Sequence, residues 1–134
     1  MLTPQQEKLR SRAEAIIKHR VDTGDYLPCF GLTLSASGEI DEILLPHRAG
    51  LEKDTFVQIV DKLHSAISAG AVATALMILA ELPIDGATTG ATIDLEQKGM
   101  QRVIGFLQYS SSQSGVEFQE AQFVAKPAVL FRAP

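Results

Sequence analysis

The chain has no tryptophan, one cysteine and only 6% aromatic residues, and these scarcities restrict its chemistry before any pattern is read. The lone Cys29 excludes an internal disulfide and suits a reducing, cytoplasmic compartment. Charge of one sign is never concentrated. With 12 basic and 16 acidic residues the formal net charge is -4, which offers nothing to nucleic acid or to an anionic membrane. The scattered basic residues do not interleave with aromatics to form a base-reading surface. No apolar run reaches the roughly 20 residues needed to span a bilayer. The first residues are polar and charged, unlike the apolar core of a signal peptide.

Recognisable catalytic signatures are missing as well. Pro28-Cys29 is half of a zinc-deaminase signature, but no second cysteine follows and no His-x-Glu precedes it. Cys29 therefore reads as a buried thiol at the start of a strand. His19, His47 and His64 are too far apart for a local metal motif, and no metal or cofactor is expected. Ser110, Ser111, Ser112 and Ser114 lack the elbow that would sharpen a serine nucleophile and read as a solvated loop. Gly86 and Gly90 lack the Gly-Lys-Ser/Thr of a phosphate loop and read as a turn.

What is present is a chain of 134 residues, 46% hydrophobic and 21% charged, ordinary for one globular domain covering residues 1–134. Its organising stretch is Thr55 to Ile84. Phe56, Val57, Val60, Leu63 and Ile67 recur at helical spacing, with Gln58, Asp61, Lys62 and Ser65 turned away. Gly70 stops that helix. Ala71 to Leu82 then reads as a strand closed by Pro83, with one long helix to Glu81 as the rival reading on propensity. At period two, Val72, Thr74, Leu76 and Ile78 share one face and Ala71, Ala73, Ala75 and Met77 the other. Both faces are apolar, so this strand should be central and covered on both sides.

Around it, Thr3-Pro4-Gln5-Gln6 starts a helix with a capping box, and Leu9, Ala13, Ile16 and Ile17 form its stripe to about Val21. Cys29 to Ala36 and Glu39 to Leu45 form a hairpin about Ser37-Gly38. Asp54 is one candidate cap for the second helix. Strands follow over Ala91–Gln97, Arg102–Tyr109 and Val116–Val124, the last with a slip near Glu120, before an apolar tail at Val129-Leu130-Phe131.

The expected fold is α+β, in the order α-β-β-α-β-β-β-β, with a mostly antiparallel sheet of about five to six strands and two helices on one face. Two helices on one face leave the Ala71-Ala73-Ala75 side uncovered, which predicts a homodimer. The order helix–hairpin–helix–sheet resembles that of roadblock and profilin-like modules in topology alone, with no motif residues to carry a function across.

Two features point to a ligand. Glu81 ends the apolar run, where desolvation would raise its pKa and suit it to proton transfer. His47, Arg48 and Lys53 flank the start of the second helix, whose amides could bind an anion. The leading expectation is a non-catalytic, self-associating protein-interaction module, with a protein partner. The alternative is a small-molecule or anion binder, or an enzyme, with a pocket near Glu81, His47 and Arg48.

Overall fold

The computed structural model describes residues 2–23, 29–45, 50–81, 88–100, 102–112, 115–119 and 122–131. Its first helix begins with a reciprocal cap. The Gln6 N–H donates to the Thr3 hydroxyl at 3.1 Å, and the Thr3 N–H donates to the Gln6 side-chain oxygen at 3.0 Å. Two amides that the helix itself cannot satisfy are thereby paired. From that start α1 runs Pro4–Thr23 and buries Gln6, Leu9, Ala13 and Ile17 along one stripe.

β1 (Phe30–Leu34) and β2 (Ile40–Ile43) form the hairpin, and α2 (Glu52–Ser68) follows. Asp54 lies inside the first turn of α2; Leu51 is the cap and makes no side-chain cap bond. At the far end Gly70 takes φ +111° and donates its N–H to the Ile67 carbonyl, while the Ala71 N–H bonds to the Ala66 carbonyl. Only glycine adopts that backbone without strain, so the helix ends where the sequence places the stop.

The segment after Gly70 is a strand. β3 spans Ala73–Glu81, β4 Thr88–Gln97, β5 Arg102–Ser112, β6 Gly115–Phe118 and β7 Phe123–Lys126. All seven belong to one sheet, ordered β2-β1-β3-β4-β5-β6, with β7 also pairing β5. Every pairing is antiparallel. The fold is α+β, as the element order implies. β4 starts earlier than the alternation suggests and β5 runs into the serine stretch, where Ser110–Ser112 pair with β6. What reads as one slipped strand over Val116–Val124 is two short strands, both hydrogen-bonded to β5.

The two helices lie on opposite faces of the sheet, not on one. Phe30, Leu32, Leu34, Ala73, Ala75 and Met77 pack with Leu9, Ala13 and Ile17 of α1 in one buried cluster. Ile59 and Leu63 of α2 pack with Leu76 in a second. The alternation of β3 explains both, since its alanine face and its Leu76 face point in opposite directions. The alanine side thus lies under α1, with Ala73 and Ala75 fully or nearly buried. A second copy is not needed to cover it. The inward stripe of α2 also differs from the expected one, because Ile59 is buried and Val57 is 51% exposed. Gly31 lets α2 approach closely: an added Cβ would sit 3.1 Å from Ile59 and 3.2 Å from Leu63.

Candidate functional site

Of the residues that sequence patterning marks for binding, His47 and Arg48 lie outside the described residues. Lys53 is exposed in the first turn of α2, beside Glu52 and Asp54. Those two carboxylates already place negative charge at the positive end of the helix dipole. Glu81 is the last residue of β3, opposite Thr89 in register, and only its backbone position is described. His19 lies in α1 and His64 is exposed in α2, on opposite sides of the sheet. Among the described residues, no three histidine, cysteine or carboxylate side chains are grouped to hold a metal ion. No helix among them is long and apolar enough to cross a membrane.

Among the described residues, two clefts can be placed at the surface. One, of about 320 Å³, lies between α1 and β2 and is lined by Arg12, Ile16, His19, Arg20, Glu42 and Leu44 among others. Its Arg12 is already paired with Glu42 at 2.5 Å. The other, of about 600 Å³, lies where the end of α2 meets the β1–β2 hairpin, with Thr33, Ser35, Ser37 and Asp41 in its wall. Neither contains Lys53. Cys29 stands apart from both clefts, and burial pushes its thiol up to about 11, so it is protonated and a poor nucleophile at neutral pH.

The more informative surface is the face of the sheet that carries α2. That helix rests on β1 and reaches Leu76, and leaves the far part of the face open. Register places Ile78, Thr92 and Phe106 in one row across β3, β4 and β5. Asp94, Ile104 and Val124 continue the row of Leu76 beside it. Ile78 is 37% exposed and Val124 58%, with Ile104 and Phe106 partly exposed between them. The Phe106 ring lies over Gly90, so a side chain at Gly90 would collide with it. Along β5, Val103, Leu107 and Tyr109 are buried on the α1 side, and Ile104 and Phe106 are partly exposed on the open one.

Polar groups cross this area as well as edge it, with Thr92 and Asp94 standing within its rows. Arg102 grips Asp94 through Nε at 2.9 Å and 3.0 Å to its two oxygens and through Nη2 at 2.7 Å. The Asp94 hydrogen bond, ahead of its charge, holds the Arg102 guanidinium above its already high pKa. One row further, Glu96 is only 2% exposed. Its Oε2 accepts the N–H of Val129 at 3.1 Å and of Phe131 at 2.7 Å, so a bend in the tail wraps one carboxylate oxygen. Leu130, between the two donors, packs against the cluster of Ile59, Leu63 and Leu76. Arg102 Nη1 donates to the Pro127 carbonyl at 3.3 Å. The apolar tail thus docks beside α2. Alternation alone makes Glu96 a solvated residue of β4, and no local signal marks it as buried.

With this geometry in hand, comparison with known proteins adds no relative: no family model, curated protein or solved structure matches the chain.

Proposed function

We propose that the chain is a small, cytoplasmic, non-catalytic interaction module that associates with a second copy of itself and acts through a protein partner. The exposed apolar rows on the α2 side of the sheet carry this reading, Ile78 and Val124 above all. They lie on the far part of that face, and not on the alanine side that composition first suggests. Two antiparallel sheets that meet face to face through β-branched and aromatic side chains bury such rows from water. The single cysteine of the chain, Cys29, suits a reducing setting.

The test is sedimentation velocity on the intact chain over a micromolar concentration series. A dimer that Val124→Glu dissociates supports the reading. A monomer at every concentration overturns it, and attention would then pass to the two clefts as small-molecule sites.

A further inference from the structure

The cleft between α1 and β2 joins an apolar floor to a basic rim. From α1 come Arg12, Ala15, Ile16, His19 and Arg20, and steps of three or four residues set all five on one stripe of the helix. The hairpin supplies Glu42 and, two residues on, Leu44. Glu42 is in register with Leu32, which packs under α1, so this side of the hairpin faces that helix. The floor is not closed by the chain's own packing. Leu44 is 38% exposed, and Ala15 and Ile16 leave apolar surface beside it. An apolar body laid there removes that surface from water.

The charge around the floor is one-sided. Arg12, His19 and Arg20 set three basic groups against the single carboxylate of Glu42, on a chain whose formal net charge is -4. Arg12 directs Nε, at 2.7 Å, and Nη2, at 2.5 Å, to the same oxygen of Glu42. Those two charges cancel, and Arg20 sets the sign of what remains. Among the described residues the His19 imidazole makes no hydrogen bond, and its ring N–H is a donor in either protonation state.

Size and composition together select a ligand class. At about 320 Å³ the cleft lies at the small end of ligand sites, which span about 300–1,000 Å³. A polyanion would bring its further charges against Glu42, and a bare anion would leave the floor wet. One carboxylate on a short apolar body uses both the floor and the rim. A guanidinium receives that head group through two parallel N–H donors, which fixes its orientation.

We propose that this cleft binds a small apolar monocarboxylic acid, with the body of the acid on Ile16 and Leu44 and its carboxylate on Arg20 and His19. The site lies on the α1 side of the sheet, so it does not depend on association through the rows of the α2 side.

The test is a titration of the intact, isotope-labelled chain with phenylbutyrate, read by amide nuclear magnetic resonance. Phenylbutanol and inorganic phosphate serve as the uncharged and the purely charged controls. Saturable shifts over residues 12–20 and 42–44, with a dissociation constant of about 1 mM or tighter and both controls about tenfold weaker, support the site. Arg20→Gln should weaken the acid about tenfold, the scale of one charge-assisted hydrogen bond. Leu44→Ser, at an exposed position, should weaken the acid and the alcohol alike. Glu42→Gln removes the opposing carboxylate and should tighten the acid. An alcohol that binds as well as the acid overturns the proposal, because the basic groups then take no part. Phosphate that binds better than the acid overturns it in favour of a plain anion site. Shifts absent at roughly 10 mM acid, or confined to the rows around Ile78 and Val124, overturn it as well.

Discussion

The carboxylate of Glu96 and the N–H of Phe131 stand 2.7 Å apart across 35 residues of sequence. That bond, with its companion from Val129, ties the end of the chain to the middle of the sheet. Glu96→Ala leaves two tail amides without their acceptor and opens the groove around Leu130. A loss of about 1–3 kcal/mol in urea unfolding is expected. The amides of Val129 and Phe131 should also exchange with solvent far faster than those of β4. Unchanged exchange at both would show that the tail is held by something else.

Gly31 sets how near α2 can lie to β1. Gly31→Val places branched carbons where Ile59 and Leu63 now stand 3.1 and 3.2 Å from an added Cβ. Overpacking of this kind costs about 1–3 kcal/mol. Because α2 rests on that side of β1 and α1 on the other, the damage should be local. Hydrogen exchange across α2 is the readout, and α1 should keep its protection.

A similar argument applies to Gly105, with a different neighbour. A Cβ there would lie 2.6 Å from the Phe123 ring, which folds over this position from β7. Gly105→Ala is expected to loosen β7 from β5 and lower the melting temperature. If Phe123→Leu restores much of the loss in the double variant, the ring is the cause.

The capping box can be tested at the opposite end. Thr3→Ala removes the hydroxyl that accepts the Gln6 N–H and that also reaches the Gln97 side chain. A cap of this kind is worth about 1 kcal/mol. Thr3→Ser keeps the acceptor and should recover most of that stability in the same unfolding experiment.

Alkaline pH should weaken the fold through Cys29. Burial raises its pKa from 9.0 to about 11, so the folded state keeps a proton that the unfolded state gives up. The associated stability is complete below pH 9 and is lost as pH rises towards 11. Tyr109, raised by burial as well, adds loss in the same direction at higher pH. Cys29→Ser should flatten the first part of that decline. An unchanged slope would assign it to Tyr109.

Local pattern determined a good deal of this protein. Thr3 and Gln6 announce the first helix, and Gly70 ends the second, because caps and left-handed turns depend on residues a few positions apart. The period-two alternation of Ala73, Ala75 and Met77 against Thr74 and Leu76 gives β3 two apolar faces, and over Ala73–Met77 both are packed, with Ile78 exposed beyond them. The α+β class and the antiparallel neighbours follow from that order and the short connections.

Which helix takes which face was decided only in three dimensions. Periodicity assigns a side chain to a side of its own element and carries no sign for the sheet as a whole. For that reason the alanine face, which sequence pairs with a second copy, lies beneath α1. The α2 stripe buries Ile59 and leaves Val57 exposed, and Ile59 and Leu63 sit close over Gly31, where a side chain would crowd them. Glu96 shows the same limit. Its neighbours in sequence mark it as solvated, and a tail 33 to 35 residues away buries it and supplies its hydrogen bonds. Local sequence sets backbone geometry and alternation; desolvation and pairing belong to groups that only tertiary contact brings together.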